Sequence, residues 1–476
     1  MRKTVFCKAV GKCLQANELR ITAQSAADAR PYNLTTHCKQ AQPGTRLQAA
    51  KLLKNFGIIV RQMRNMKYFC TVKRARHIST LMLIMCILLP FNKLHAMCHG
   101  ETMLSDNDSV KISLLTCAPG DEVYSLYGHT AIRYTDYNKG IDVAVNYGIF
   151  SFRQPFFVLR FIFGKTDYEM GIMPFDYFCM EYAAEGRAVY QQELNLTPGE
   201  KAAIRDAIDT NYLPQNRVYR YNYFYDNCTT RARDILVNNI EGQVSYPDGK
   251  LLYPSYRELI HSFNEGSPWA RFGNDLLLGV KADKKTSVKE RQFLPFFLKD
   301  DFDKALIKDK GGNTRPLVKH TTCIVDCPAG VGKSVFPLRP SICAWLIFAI
   351  VTAITLLEIK QKKKYWGLDA SLMVLDGCVG IIIFMMFFSE LPATNTNLQI
   401  LLFNPLPLFF VYKVTKRTIR KQPSRFWPWP AGVLVLFFLC GIFQQYAEGM
   451  YVLASSLLLR CVWNSVYQYK YLRPKQ

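Results

Sequence analysis

The sequence predicts an α+β domain followed by an all-α membrane domain of five helices. In the polar region 97–340, strand-like segments come first and helix signals follow them. After residue 340 the sequence changes to long apolar runs separated by basic loops. Segregated strands and helices are typical of an α+β fold, and long apolar runs are typical of membrane helices. The hydrophobic fraction of 49% fits a chain of which part lies in a membrane.

The N-terminal 96 residues are predicted to lie outside the folded domains. A signal peptide is predicted over 66–96, because Met66 is followed by a basic stretch, an apolar run and the cleavage-like Leu94-His95-Ala96. Residues 1–65 show no clear hydrophobic period, which favours a spurious start or a disordered extension. A lipid-modified Cys98 is a weaker alternative, since Met97 occupies the position where a small residue is needed.

The formal net charge of +23 suggests a nucleic-acid partner, but its distribution along the chain argues against one. Residues 1–96 carry 17 Lys and Arg against 2 Asp and Glu, and residues 341–476 carry 14 against 5. Residues 97–340, the only region long enough for a soluble core, carry 29 against 30. A near-neutral domain lacks the basic patch that nucleic acids require, so no nucleic-acid partner is predicted.

Local signals place the elements of the soluble region. Three strands are predicted in VKISLLTCAPG, TAIRYT and VAVNYGIF, with a turn at 138–140 between the last two. A capping box, Thr-x-x-Glu at 197–200, predicts the start of a helix. A tyrosine-rich strand, RVYRYNYFY, precedes a helix that begins at Cys228, and residues 254–307 have helical patterns. We therefore predict one domain over 97–250 and a helical accessory region with a linker over 251–340.

The membrane domain is predicted over 341–470. Its five spans are expected at about 341–357, 368–388, 398–413, 430–446 and 449–466. Lys and Arg follow the first, third and fifth spans, whereas the loops SELPATNTN and QQYAEG carry neither. Basic loops stay on the cytoplasmic side, so the soluble region is predicted to face the exported side, as the signal peptide also requires. Asp376 and Arg460 lie inside spans, where they either pair with each other or line a groove.

The stretch YNYFYDNCTTRARD, residues 221–234, leaves three interpretations of Cys228 open. A disulfide is one, because exported compartments oxidise thiol pairs, although Cys323 and Cys327 are close enough in sequence to bridge each other. An inert buried thiol is the second. The third is a nucleophile, since a cysteine in the first turn of a helix lies at the positive end of the helix dipole, which lowers the thiol pKa.

The residues around this cysteine favour the nucleophile. Asp226 or Asn227 can cap the helix, and Arg231 and Arg233 are expected to add positive charge near the thiol.

A cysteine nucleophile needs a general base, and His129 is the candidate. The exported region also contains His99, His261 and His320, but only His129 stands in a strand-like context. Gly128 before it would let another backbone approach closely.

This order of residues resembles the circularly permuted papain-like fold of lecithin retinol acyltransferase and permuted NlpC-type proteins. In those proteins a strand histidine precedes a cysteine at a helix start, as His129 precedes Cys228. The resemblance places the residue that orients the histidine on the next strand, at Asn146, with Asp142 as the alternative. The family often has histidine at this point, so Asn146 is a departure from its pattern.

A closer resemblance covers about 105–470. It rests on the following segments: LLTCAPGDEVYSLYGHTAIR, NYGIF, GKTDYEMGIMPFDYF, EGRAVYQQELNLTPGEK, YNYFYDNCTTRARD, SPWARFGNDLLLG and ELPATNTNLQILLFNPLPL. Together they resemble the periplasmic and transmembrane domains of Lnb-type lipoprotein N-acyltransferases. The resemblance implies a multi-pass protein of the inner membrane of a Gram-negative bacterium, with its catalytic domain in the periplasm.

The same resemblance implies the reaction. An acyl chain would move from a membrane phospholipid to the Cys228 thiol as a thioester, and then to the N-terminal amine of a diacylglyceryl-cysteine lipoprotein. The Cys228 backbone N–H would hold the oxyanion, and the other candidates for oxyanion or substrate positioning are Tyr127, Tyr223, Tyr225 and Asn227.

Two other functions remain open at this point. An exported membrane-bound cysteine hydrolase, acting on cell-wall peptides or phospholipids, would use the same residues with water as acceptor. A scaffold without catalysis would need neither His129 nor Cys228. No cofactor or metal is predicted, because AGVGKS (329–334) lacks the first glycine of a phosphate-binding loop, and Cys323 and Cys327 have only His320 nearby.

Overall fold

The computed structural model describes residues 109–150, 155–246, 253–327 and 336–472. The predicted signal peptide (66–96), the extension 1–65, Cys98 and the AGVGKS segment lie outside the described residues.

Twelve strands are present in the described residues. They are β1 Val110–Cys117, β2 His129–Asp136, β3 Ile141–Ile149, β4 Asp167–Pro174, β5 Val189–Leu194, β6 Val218–Arg220, β7 Gln243–Ser245, β8 Tyr253–Ser255, β9 Lys285–Thr286, β10 Leu306–Lys308, β11 Thr314–Pro316 and β12 Val318–Val325. Seven of them form one antiparallel sheet in the order β12-β5-β1-β2-β3-β4-β6. The three strands predicted at the start of the soluble region are confirmed as β1, β2 and β3.

Eight α-helices accompany these strands in the described residues. They are α1 Phe157–Ile162, α2 Phe175–Ala184, α3 Pro198–Tyr212, α4 Cys228–Val237, α5 Tyr256–His261, α6 Pro268–Leu277, α7 Val288–Arg291 and α8 Pro295–Lys304. The predicted capping box of α3 is confirmed, because Thr197 accepts from the Glu200 N–H and Glu200 accepts from the Thr197 N–H. The predicted helix start at Cys228 is confirmed by α4.

The tyrosine-rich strand predicted over 217–225 is only three residues long. It ends at Arg220 because Asn222 turns the chain: its side-chain oxygen accepts from the Phe224 and Tyr225 amides. Backbone hydrogen bonds between Asn222 and Asp226, 2.9 and 2.8 Å long, close this turn. An Asn side chain that bonds the backbone two residues on competes with a strand, and this brings the chain straight into α4.

Residues from the predicted accessory region complete the sheet and its core. β12 pairs with β5 at the sheet edge, although this segment was predicted as a linker. On one face, α3, α4 and α8 pack in a common core with the sheet; its fully buried members include Ile132, Val145, Ile204, Leu236, Leu298 and Phe302. Each such side chain contributes about 1.5–3 kcal/mol through burial. The core therefore depends on contacts between residues far apart in sequence, which fix where α4 lies on the sheet.

The C-terminal region is a helical membrane domain. Its helices are α9 Pro340–Gln361, α10 Trp366–Met386, α11 Leu406–Ile419, α12 Pro428–Cys440 and α13 Met450–Tyr471. Three segments in the described residues are long and apolar enough to cross a membrane: 340–361, 366–386 and 398–419. α12 is apolar but shorter, so three of the five predicted spans meet this criterion of length and composition in the described residues, and the count of five stays a prediction.

Arg460 pairs within the membrane domain, but not with Asp376. Its guanidinium donates to Asp369 at 2.8 Å and contacts Glu358 at 2.9 Å. Two carboxylates from α9 and α10 therefore satisfy the buried arginine from both sides, as a buried charge requires. One carboxylate oxygen of Asp376 has no partner among the described residues.

The two predicted exported-side loops both contact the α+β domain. In the loop after α10, Ala393 accepts from the Gly279 N–H at 2.8 Å. In the loop before α13, Gln444 donates to the Leu278 carbonyl at 3.0 Å. At the other end of the helices, the Ser424 N–H donates to Gln468. The loops without Lys and Arg therefore lie on the same side as the α+β domain, as the predicted membrane orientation requires.

Candidate active site

The start of β2 and the start of α4 meet at the candidate site. The Thr130 hydroxyl donates to the Thr229 hydroxyl at 3.1 Å, in a buried hydrogen bond between residues 99 apart. This bond joins the neighbours of His129 and Cys228. Directly before β2, Gly128 lets the backbone of β1 approach closely, because its φ is +79° and a Cβ there would lie 2.6 Å from the Cys117 carbonyl oxygen. The close backbone approach predicted at Gly128 is thus confirmed.

Cys228 is the first residue of α4, and Asn227 is its cap. The Asn227 side-chain oxygen accepts from the amides of Thr229 and Thr230, both at 2.9 Å. Its amide group donates to the Tyr223 and Phe293 carbonyls. Because these bonds use the whole side chain, Asn227 orients the helix. The Asn227 side chain does not accept a hydrogen bond from the Cys228 N–H, which is the first amide of the helix.

The two arginines of α4 do not act as free positive charges near the thiol. Arg231 forms two hydrogen bonds with Asp226, at 2.6 and 2.7 Å, and lies over the Tyr219 ring. Arg233 pairs with Asp234 at 2.8 Å. The interpretation that these residues activate Cys228 was wrong, since each carries a carboxylate partner that offsets its charge.

Other groups lower the pKa of Cys228. Burial alone would raise this pKa. The thiolate is stabilised, however, by the charge of His129 and by hydrogen bonds with His129, the Thr130 backbone N–H and the Thr229 hydroxyl. Together they lower the pKa of Cys228 to about 7. For His129, burial alone would lower the pKa, but Cys228 and the hydrogen bond with Asn146 raise it. The opposite shifts of the two groups are those of a thiolate–imidazolium pair.

Asn146 holds the histidine ring. His129 Nε2 lies 2.8 Å from Asn146 Oδ1, which leaves Nδ1 for the thiol. The Asn146 amide also contacts the sulfur of Met173 on β4. Asp142, the alternative orienting residue, instead forms two hydrogen bonds with Arg133, at 2.8 and 2.7 Å. Among the described residues, Asn146 is therefore the carboxamide or carboxylate that contacts His129.

The three tyrosines proposed for the oxyanion lie in another cluster. The Tyr127 hydroxyl accepts from Asn264 and Asn274. Tyr127 and Tyr223 pack against a core built around Phe224 and Tyr256, and Tyr225 is in edge contact with Tyr256. In the described residues, the hydrogen bonds and ring contacts of these tyrosines are made with this cluster, toward which the turn at Asn222 directs the chain.

A different set of aromatic rings borders the thiol. Tyr168 and Tyr221 stack at 4.1 Å between ring centroids, and the charge of Cys228 raises the pKa of both beyond the effect of burial. Phe150 stacks on the outer side of Tyr168 at 4.8 Å. Gly148, with φ +95°, lies in van der Waals range of Cys228: a Cβ there would be 3.6 Å from the cysteine Cβ. The glycine inside the strand motif NYGIF was the available signal, since such a glycine often marks close approach.

Every cysteine in the described part of the chain is a free thiol, Cys228 included. Cys323, which is close enough to Cys327 in sequence for a bridge, lies in strand β12 and is a free thiol. Among the described residues, no group of three His, Cys, Asp or Glu is placed to hold a metal ion.

Fold and site together define a membrane protein that carries a Cys–His–Asn cluster on an exported α+β domain. Comparison with family models identifies both parts: residues 101–262 match the Lnb N-terminal periplasmic domain, and residues 332–472 match the Lnb transmembrane domain. Together the two matches cover more than half of the chain, which belongs to the Lnb-type lipoprotein N-acyltransferase family. Neither the search of curated proteins nor the search of solved structures gave a match.

Proposed function

We propose that the protein transfers an acyl chain from a membrane phospholipid, through a thioester on Cys228, to the N-terminal amine of a diacylglyceryl-cysteine lipoprotein. The observation that carries this proposal is the setting of the thiol: it stands at the start of α4, the neighbouring His129 ring is held by Asn146, and His129 contributes to lowering the pKa of Cys228 to about 7. A cysteine in such surroundings is a thiolate at neutral pH to a substantial extent, and the thiolate is the reactive form.

The first half-reaction would transfer the acyl chain to the enzyme. The Cys228 thiolate attacks the ester carbonyl, and the developing oxyanion is stabilised by the Cys228 N–H at the start of α4. The C–O ester bond then breaks. His129 as imidazolium donates its proton to the leaving oxygen, which gives a lyso-phospholipid, an acyl-thioester and a neutral imidazole.

The second half-reaction would use the neutral imidazole as base. The lipoprotein amine attacks the thioester, His129 accepts a proton from the nitrogen, and the thiolate leaves. The amide is then complete, and the thiolate–imidazolium pair is restored. Asn146 acts as a positioning residue throughout, because its bond to Nε2 keeps Nδ1 directed at the sulfur.

The arrangement also supports a circularly permuted papain-like fold for the catalytic domain. Along the chain the order is His129 on β2, Asn146 on β3 and Cys228 at the start of α4. We assign catalysis to 97–250, completed by β12 and α8 from the following region, and membrane anchoring to 341–470. We place the protein in the inner membrane of a Gram-negative bacterium, because two lipid substrates require a catalytic domain close to a bilayer.

The test is the mass of a lipoprotein N-terminal lipopeptide from cells that depend on this protein. We expect a third acyl chain with the wild-type chain and with Cys117→Ala, and its loss with Cys228→Ser. A third chain that persists in Cys228→Ser would refute the acyl-enzyme. Release of free fatty acid without transfer would indicate the hydrolase instead.

A further inference from the structure

Helix α1 and the residue before it expose an apolar surface. The segment FFVLRFIF, residues 156–163, contains a single polar residue, Arg160. Phe156 is 77% exposed and Val158 is 68% exposed, and Leu159 and Phe161 are also exposed. Apolar side chains of this size are rarely grouped on the surface of a soluble domain unless the surface has a partner.

The position of α1 is fixed by the end of a membrane span. The Phe163 carbonyl accepts from the Glu390 N–H at 3.0 Å, just after α10 leaves the apolar region. Gly164 packs directly on this loop, since a Cβ there would lie 2.9 Å from the Leu391 backbone nitrogen. The exposed apolar surface is therefore continuous with the exported end of a membrane helix.

The charges around α1 lie where it joins the domain. Arg160 donates to Asp167 at 2.7 Å, and Arg220 bonds to the other oxygen of the same carboxylate. Arg220 also pairs with Glu390, to which Lys165 lies at 3.8 Å. These ion pairs form a polar layer between α1 and the sheet, so the segment has one charged side and one apolar side. Helices of this type lie in the interface of a bilayer, with the apolar side buried about 5–10 Å into the boundary between headgroups and acyl chains.

A second group of apolar side chains, the stacked rings, lies beside Cys228. Phe150 directly follows β3 and stacks on Tyr168, which in turn stacks on Tyr221. Tyr168 and Tyr221 pack in the same cluster as Cys228. The stacked rings therefore run from the end of β3 to the cluster that contains the thiol.

We propose that α1, with Phe156, inserts into the exported leaflet of the bilayer, and that an acyl chain reaches Cys228 along Phe150, Tyr168 and Tyr221. The occupant of the surface is bilayer lipid, because the surface continues a membrane span. The second half of the proposal rests on the proposed acyl transfer, whereas the insertion of α1 does not.

Photo-cross-linking tests the insertion independently of catalysis. p-Benzoylphenylalanine is placed at Phe156 or Val158 in the full-length membrane protein, with Tyr137 as the matched control. Tyr137 is exposed to 54% and lies at the opposite end of β2 from His129. The membranes contain phospholipid with radiolabelled acyl chains.

We expect strong lipid labelling at 156 and 158 and little at 137, with the same result in a Cys228→Ser background. Labelling at 156 and 158 no higher than at 137 would overturn the proposal, and so would cross-links to another protein in place of lipid. Since Cys228→Ser removes the acyl-enzyme, this experiment can fail or succeed whether or not the protein is an acyltransferase.

Charge substitutions on α1 test whether its insertion serves acyl transfer. Val158→Glu and Phe161→Glu should each reduce transfer from bilayer phospholipid at least tenfold, whereas Val158→Leu and Tyr137→Glu should retain it. Alkylation of Cys228 by iodoacetamide should be unchanged in all four variants, which shows that the site is intact. Unchanged transfer in both glutamate variants would overturn the proposal that an acyl chain enters from the leaflet into which α1 inserts.

Discussion

The protein contains two thiols beside the same histidine, and they differ in chemistry. Cys117 lies opposite His129 in the pairing of β1 with β2, is fully buried and contacts Tyr182; its pKa is raised by burial. Cys228 is partly buried at the start of α4, and its pKa is lowered to about 7. Both thiols lose solvation, so burial does not distinguish them. The difference comes from the charge of His129 and the hydrogen bonds with His129, the Thr130 N–H and the Thr229 hydroxyl, which stabilise the Cys228 thiolate.

Replacement of each thiol gives the largest contrast. Cys228→Ser should reduce acyl transfer by on the order of 10³-fold or more, because it removes the nucleophile. Cys117→Ala should retain transfer and lose only the small stability contribution of a buried side chain. Transfer is measured as the gain of one acyl mass on a diacylated lipopeptide. Equal losses in the two variants would remove the distinction between the thiols.

His129→Gln should have the next largest effect, a loss of about 10²–10⁴-fold in transfer, since a general acid–base contributes that much. The thiolate forms as the pH rises through the thiol pKa. Without the imidazolium this pKa should rise from about 7 toward the ordinary value of about 8.5.

The pH dependence of Cys228 alkylation by iodoacetamide measures this shift directly. Its midpoint should move to higher pH in His129→Gln, while Cys117 remains unlabelled in both folded proteins. A midpoint that does not move would show that His129 does not stabilise the thiolate.

Asn146→Ala should reduce transfer less, by on the order of tenfold to a hundredfold, because the ring keeps its place in β2 but loses the bond that orients it. Asp142→Asn is the matched comparison, since Asp142 contacts Arg133 rather than His129. The alkylation midpoint of Cys228 should also rise in Asn146→Ala and stay constant in Asp142→Asn. The reverse outcome would make Asp142 the orienting residue.

Asn227→Ala should have the smallest effect. Loss of an N-cap reduces the free energy of unfolding by about 0.5–2 kcal/mol and should slightly raise the Cys228 pKa, because the helix start is less ordered. Thr197→Ala removes the cap of α3, which is far from the thiol in sequence and lacks a catalytic residue. It should lower stability similarly and leave the alkylation midpoint unchanged. A shift of the alkylation midpoint in both variants would show that the shift follows from lower stability and not from the cap next to Cys228.

The parts of the structure that local sequence signals determine were predictable. The capping box before α3, the helix start at Cys228 and the first three strands each depend on a few neighbouring residues. His129 and Asn146 were selected through strand context and a family resemblance, and the structure places them 2.8 Å apart.

The features that depend on long-range contacts were not predictable in the same way. β12 joins the sheet through pairing with β5, and Arg460 chooses Asp369 and Glu358 over Asp376; both outcomes are set by tertiary packing. The charges of Arg231 and Arg233 were misjudged because their carboxylate partners become close only in the folded helix and turn. The rings of Tyr168 and Tyr221 come from separate strands and a turn, so their stacking has no local signal.

In the proposed mechanism, the Cys228 thiolate carries the acyl chain between two lipid substrates. The most direct test is the mass of the Cys228 peptide after the membrane protein is incubated with phospholipid alone, followed by addition of a diacylated lipopeptide. We expect one acyl mass on Cys228 that hydroxylamine removes, and its transfer to the lipopeptide when the acceptor is added. Transfer to the lipopeptide with no acyl mass ever present on Cys228, in an enzyme quenched during turnover, would contradict it.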